Sequence, residues 1–354
     1  MEKKKTLIGM SGGVDSSVAA FLSLQEGFSC IGCTMRLHNR SCGGSDDVAD
    51  AQAVSQRLGF DHIVIDFQEE FSKAVMDPFV SCYESGLTPN PCIFCNRQLK
   101  FGAMLEKALE LGCGYVVSGH YARIRFDKGS GRYLLYKAAD RAKDQTYFLA
   151  CLSQHQLAHI RFPLGELTKE EVRKIAETQG FGNARKKDSQ DICFVPGGDY
   201  VAFMEQYTGK TYASGQYLDL QGNVVGIHRG AVCYTIGQRK GLGIALGAPV
   251  YVCGKDMQRN TVTVGPNDAL FSNALRAENM TWFPFPALTE PLHVTAKTRH
   301  SQQEQEATVY PEEDGRIRVV FDSPQRAITP GQAVVLYQGD LVIGGGTITE
   351  ALSL

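Results

Sequence analysis

The stretch "TLIGMSGGVDSSVAAFLS", Thr6 to Ser23, decides how this chain folds. A short apolar run, a Gly-rich turn and an apolar segment at helical spacing read as strand, turn and helix. The backbone N–H groups of such a turn, added to the positive end of the helix dipole, cradle phosphate oxygens. The plainer alternative is a tight turn in which Ser11 or Asp15 caps the helix. The stretch holds no G-x-x-x-x-G-K-[ST], hence no Walker lysine, and no G-x-G-x-x-G.

Outward from this stretch, apolar runs alternate with helix-period segments as far as about Gly180. "FSCIGCTMRL", "DHIVIDF" and "YVVSGHY" read as further strands. "DDVADAQAVSQRLG", "RQLKFGAMLEKALELG" and "TKEEVRKIAETQG" read as helices. This is the pattern of an α/β unit with a parallel sheet covered by helices on both faces, whose ligands sit beyond the carboxyl ends of the strands. Beyond about Tyr207 the texture turns β-rich, with "GQYLDL", "NVVGIH", "APVYVCG" and "NTVTVG". From about Ser272 the segments "LHVTAKTRH", "EATVYPE", "RIRVVFD", "QAVVLYQGD" and "LVIGGGTI" have the spacing of a small barrel. The expected units are residues 1–206, 207–271 and 272–354.

The chain has 354 residues, 43% hydrophobic and 21% charged, enough for several full cores. No apolar run approaches the ~20 residues of a membrane helix, and "MEKKKTLIGM" is too short in apolar residues for a secretory signal. A cytoplasmic protein with no membrane partner is expected. Eleven cysteines is a high and odd count for a reducing compartment. Cys30, Cys33, Cys113, Cys233 and Cys253 sit in apolar contexts that suit buried thiols; Cys92, Cys95 and Cys193 are the candidates for chemistry. The net charge of −2 carries no global signature of nucleic-acid binding and leaves only local basic surfaces.

S-G-G-x-D-S directly after a first strand resembles the pyrophosphate loop of the ATP pyrophosphatase superfamily, whose members split ATP into AMP and pyrophosphate while adenylating a substrate oxygen. The resemblance implies a HUP-like (adenine nucleotide alpha hydrolase-like) sheet. It places Gly9, Met10, Ser11, Gly12, Gly13, Val14, Asp15 and Ser16 on the ATP phosphates, Met35 at the adenine pocket and Gly119 of "SGHY" beside the nucleotide. Asp15 would face pyrophosphate or Mg2+, a hard cation that takes oxygen ligands.

The ordered set "SGGVDS", "TPNPCIFCNRQLKF", "SGHYAR", "KDQTYFL", "FPLGELTKEEVRKIA", "KKDSQDICF", "YTIGQRKGLGI" and "TPGQAVVLY" resembles the tRNA-specific 2-thiouridylases of the MnmA type over nearly the whole chain. The implied reaction adenylates the C2 oxygen of the wobble uridine and then replaces AMP with sulfur, splitting one difficult step into easier ones. By resemblance Cys95 is the nucleophile and Cys193 carries a persulfide received from a sulfur-donor protein, and the pair can end the cycle as a disulfide. Lys186 and Lys187 would favour a thiolate or meet RNA phosphate. The residues implied for tRNA are Asn90, Pro91, Cys92, His120, Lys143, Asp144, Gln145, Arg299, His300 and Gln332.

One position departs from the family pattern. The loop usually reads Asn-Pro-Asp, and here Cys92 replaces the acid. Cys92, Cys95 and Cys193 then match the three-thiolate pattern of other tRNA thiolases, which hold a [4Fe–4S] cluster. The alternatives are two working thiols with Cys92 a bystander, or a zinc site short of its fourth ligand. The same phosphate loop would also serve an adenylating ligase or amidotransferase, although no glutaminase segment is recognisable.

Overall fold

The computed structural model describes residues 4–38, 45–186 and 192–353. Five parallel strands form the first sheet: β1 (Lys5–Gly9), β2 (Ser29–Arg36), β3 (His62–Asp66), β4 (Tyr115–Val117) and, after a hairpin, β7 (Ile160–Arg161). Their spatial order is β3-β2-β1-β4-β7. β1 is central, and Leu7 and Ile8 are fully buried, on opposite faces of the sheet. Each such burial contributes about 1.5–3 kcal/mol. Helix α1 (Val14–Gln25) packs its Val14, Val18 and Ala19 against the Ile8 face, and α2 (Ser45–Leu58) adds Ala51 and Val54 to that cluster.

The hairpin β5 (Ala122–Asp127) and β6 (Arg132–Lys137) leaves the sheet and joins the C-terminal barrel, where Tyr136 pairs with Leu341. Local sequence cannot reveal this crossing, because the pairing partner lies some 200 residues away. The middle of the chain forms a four-stranded sheet of β8 (Gly215–Leu218), β9 (Val224–His228), β10 (Tyr251–Asp256) and β11 (Thr261–Gly265), in the order β10-β11-β8-β9.

The last region is a closed barrel. It comprises β12 (Phe271–Trp282), β13 (Leu292–Lys297), β14 (Gln305–Pro311), β15 (Ile317–Arg326), β16 (Ala333–Gln338) and β17 (Leu341–Leu352), and the β12–β17 pairing seals it. Alternate residues such as Val294, Ala296, Val309, Val319 and Leu336 fill its core. Among the described residues no helix is long and apolar enough to cross a membrane.

Candidate active site

The strand order of the first sheet reverses between β1 and β4, and such a switch point opens a crevice at the carboxyl ends of the strands. The loop from Met10 to Gly13 emerges from β1, and Ser118 to Tyr121 from β4. Met10 is tied to the neighbouring strand: its N–H donates to the Cys33 carbonyl at 2.8 Å, and its carbonyl accepts from the Thr34 hydroxyl at 2.8 Å. Gly12 has φ +70°, and a Cβ there would lie 2.5 Å from the Asp47 carbonyl oxygen. No side chain caps the residue before α1, Gly13, so the capping role considered for Ser11 or Asp15 is not the one they play. Ser16 instead accepts the Ser11 N–H at 3.2 Å and donates to the Gly13 carbonyl at 3.0 Å. Met10 and Val14 are core side chains, and the Met10 backbone is taken up by the neighbouring strand. Met35 is half-buried near the end of β2, and Gly9 packs against Met104.

Asp15 is held by two side chains from distant segments. Lys169 Nζ lies 2.7 and 2.8 Å from its two carboxylate oxygens, and the Tyr121 hydroxyl donates to Oδ1 at 2.9 Å. Gly119 explains how Tyr121 arrives there. A Cβ on Gly119 would fall 2.7 Å from the Asp15 carbonyl carbon and 2.8 Å from the Ser16 nitrogen. Only glycine lets the two loops close on each other, so Gly119 approaches the start of α1. From the other side, Asn183 Nδ2 donates to the Gly12 carbonyl at 3.0 Å and to the Ser17 hydroxyl at 2.9 Å. Lys186 sits at the same loop, 3.4 Å from the Gly12 carbonyl, and is paired with Asp47 and Asp50. Its charge is thus met by two carboxylates of α2 beside the loop; Lys187 lies outside the described residues.

The thiols occupy a second region. Asn90 precedes the helical turn Pro91–Phe94, which runs into the wide π-helical stretch Cys95–Ala103. Such stretches recur at functional sites because they re-aim side chains. Gln156 steadies this one, donating to the carbonyls of Arg97 and Phe101 at 2.7 and 2.8 Å. Cys92 is exposed, Cys95 buried and Cys193 half-buried. Cys95 and Cys193 border the same apolar cluster. Phe194 anchors the latter through ring contacts with Phe71, Phe79 and Phe203.

The barrel reaches this thiol region through one turn. Gln332 Nε2 donates to the carbonyls of Thr88 and Pro89 at 2.8 and 3.3 Å, and the Thr88 N–H donates to the Pro330 carbonyl at 2.9 Å. His300 is exposed, with its ring 4.4 Å from that of Phe148, whose carbonyl accepts from Asn96 beside Cys95. Arg299 turns inward: its Nη2 donates to the carbonyls of Ile236 and Ala327 and to the Thr329 hydroxyl. It therefore ties the middle sheet region to the barrel. Gln145 braces the "SGHY" segment, its side-chain oxygen accepting the Tyr121 N–H at 2.9 Å. Asp144 accepts from the Ala138 N–H and the Thr146 hydroxyl, while burial pushes its carboxyl pKa up. Half-buried His120 lies between the rings of Phe101 and Phe162 and bonds Ser118 at 2.7 Å; burial first, and the Lys100 charge second, hold it well below the usual histidine range. A groove of about 580 Å³ next to half-buried Lys143 is lined by Lys137, Arg141, Asp144, Lys297, His300 and Glu304.

Three family models match successive parts of the chain. These are the tRNA methyl transferase HUP domain over residues 4–197, the tRNA methyl transferase PRC-barrel domain over 201–266, and the Aminomethyltransferase beta-barrel domain over 272–348. The tRNA-specific 2-thiouridylase MnmA of Acetivibrio thermocellus is 48% identical, with 98% of this chain and 100% of that protein covered. Those of Symbiobacterium thermophilum and Clostridioides difficile are 47% and 44% identical, each over 99% of this chain and over 93% and 99% of their own lengths. The chain belongs to the tRNA-specific 2-thiouridylase family.

In this 2-thiouridylase-family chain, the three-thiolate cluster expected from Cys92, Cys95 and Cys193 has no assembled ligand set. Among the described residues, no three His, Cys, Asp or Glu side chains converge so as to hold a metal ion. The reason lies in the helical turn, which exposes Cys92 while burying Cys95. Sequence reasoning also missed Lys169, Tyr121 and Asn183 as neighbours of the phosphate loop. All three sit inside or beside motifs that were visible, but nothing local says toward what they point.

Proposed function

We propose that this chain is an ATP-dependent tRNA-uridine 2-sulfurtransferase in which Cys193 and Cys95 relay the sulfur. Full-length similarity to tRNA-specific 2-thiouridylases carries this reading, and the paired loops at the β1/β4 switch point supply its physical basis. ATP lies on the backbone of the Gly9–Ser16 loop, and the uridine C2 oxygen attacks the α-phosphorus, releasing pyrophosphate. Mg2+ would arrive with the nucleotide; Asp15 is already bonded to Lys169 and Tyr121, so no metal ligand is assigned to it.

In the second half, the terminal sulfur of a Cys193 persulfide, loaded by a sulfur-donor protein, attacks C2, and AMP leaves with the bonding pair. The Cys95 thiolate then attacks the Cys193 sulfur. The S–S bond to the uridine breaks, its electron pair stays on the uridine as 2-thiouridine, and a Cys95–Cys193 disulfide remains for a thiol reductant to open. Asn90, Pro91 and Cys92 would face the target base, with His120, Lys143, Asp144, Gln145, His300 and Gln332 toward the tRNA. Residues 1–206, 207–271 and 272–354 are the corresponding catalytic, connecting and RNA-contacting units.

The test incubates the protein with uridine-bearing tRNA, ATP, magnesium and a persulfide donor. Equal amounts of AMP, pyrophosphate and 2-thiouridine are expected; nucleotide cleavage without thiolation would sink the assignment.

A further inference from the structure

The segment "SQHQLAHI", Ser153 to Ile160, places two histidines four residues apart. At that spacing the side chains of a helix share one face, with Cβ atoms about 5–6 Å apart. His155 lies in the short helix Gln154–Ala158 and is exposed; His159 follows its last residue and is half-buried. Their ring centroids are 4.7 Å apart, with the planes inclined at 49°. Two imidazoles bound to one ion at about 2.0–2.1 Å, with an angle of about 90–110° between the bonds, have centroids about 4.5–5.3 Å apart. The observed separation falls inside that range. The tautomer suits as well. His159 Nδ1 lies 2.9 Å from the His155 carbonyl oxygen, which can only accept. Nδ1 therefore carries the hydrogen, and the lone pair of the neutral ring is left on Nε2, with the orienting bond that metal-binding imidazoles make.

Gln156, between the two histidines, connects the pair to the thiol region. Its Oε1 accepts the Ser153 N–H at 2.9 Å, closing the capping box of the helix, while Nε2 donates to the carbonyls of Arg97 and Phe101 in the stretch Cys95–Ala103. A helix of five residues holds little order by itself, so an ion that binds only the helical form steadies it.

We propose that His155 and His159 form a two-ligand site for a divalent transition-metal ion of the kind that imidazole binds, Zn2+, Ni2+ or Cu2+, and that the bound ion clasps the helix whose Gln156 steadies the Cys95 stretch. Among the described residues no third His, Cys, Asp or Glu joins the pair, so water completes the shell of the ion. The site stands apart from the sulfur relay and takes no part in its chemistry.

The test is calorimetric titration of the full chain with NiCl2, compared among wild type, His155→Gln, His159→Gln and the double variant. Ni2+ taken up by cysteines is common to all four proteins and cancels in the comparison. Loss of either histidine is expected to weaken one equivalent of Ni2+ by about tenfold or more, because the second ring binds as an intramolecular ligand at high effective concentration. The double variant should then be scarcely weaker than either single one. Hydrogen exchange over Cys95–Ala103 should slow when NiCl2 is added to wild type and stay unchanged in the variants. Losses that add independently in the double variant, or a wild-type isotherm identical to that of the double variant, would overturn the site. Binding lost in the variants, but with exchange in wild type indifferent to Ni2+, would overturn the clasp. His155 is exposed, so its replacement leaves the packing intact, and that variant carries the test if His159→Gln unfolds.

Discussion

Gln332 of the barrel donates to the carbonyl of Thr88 at 2.8 Å, four residues before Cys92 and seven before Cys95. The C-terminal barrel and the thiol-bearing loop are therefore joined by a side chain, and the neighbouring Thr88–Pro330 bond makes the joint two-pronged. Gln332→Ala removes a contact worth about 1 kcal/mol net. A fall of several-fold in kcat is expected, with KM for ATP unchanged because the phosphate loop is held separately. Steady-state kinetics at saturating tRNA decide it; an altered KM for ATP with normal kcat would contradict this division.

Gly119→Ala is expected to damage ATP use more than its one methyl group suggests. The added carbon would meet backbone atoms of Asp15 and Ser16 at 2.7 and 2.8 Å, and backbone cannot step aside as a side-chain tip can. Separation of the two loops would also pull Tyr121 from Asp15. Calorimetry should show ATP binding weakened by about tenfold or more, the cost of losing an ordered polar contact; unchanged affinity would mean that the loops need not close.

Stability should fall as the solution is acidified through about pH 6.5, the ordinary histidine value. His120 is held well below 6.5 by burial, and His62 and His228 are lowered with burial as their leading cause. Between the folded and unfolded values the unfolded chain binds protons that the folded chain does not, so unfolding free energy rises with pH and is lost as pH drops. Urea denaturation from pH 8 to 5 should show a plateau above about pH 7 and a decline below it. His120→Asn should lower the slope by up to one proton; an unchanged slope would show that His120 is protonated in the fold.

Cys92→Ser should leave thiolation within about twofold of wild type, because serine keeps the size of an exposed thiol that carries no sulfur in the relay. Its exposure, set against the burial of Cys95, gives no three-thiolate cage. Anaerobically purified protein should accordingly be iron-free by metal analysis. A brown protein with iron, lost together with activity in Cys92→Ser, would restore the cluster.

What could be read in the sequence was whatever a short window encodes. The period of two in "NTVTVG" and the helical period after "SGGVDS" each specify an element through its own side chains, and both elements stand where that pattern puts them. The functional pairings are different in kind. Lys169 and Asp15 are joined only because strand order β1-β4-β7 stacks their helices side by side, and no local pattern states that order. Arg299 looked like a basic surface residue next to His300. A Thr329 hydroxyl and two carbonyls in other segments turn it inward instead. The hairpin β5–β6 and the opening barrel strand β12 were unread for a similar reason, since their partners are remote.

The sulfur relay is tested most directly by a single turnover with enzyme whose Cys193 carries a radiolabelled persulfide, mixed with tRNA, ATP and magnesium. Label is expected to enter 2-thiouridine in amounts equal to the AMP released, and peptide mapping of the spent enzyme is expected to find Cys95 joined to Cys193. In Cys95→Ser the label should remain bound to the protein with uridine attached, and Cys193→Ser should accept no label at all. Thiolation at the wild-type rate by Cys193→Ser, or label released into tRNA with no Cys95–Cys193 disulfide formed, would contradict the account.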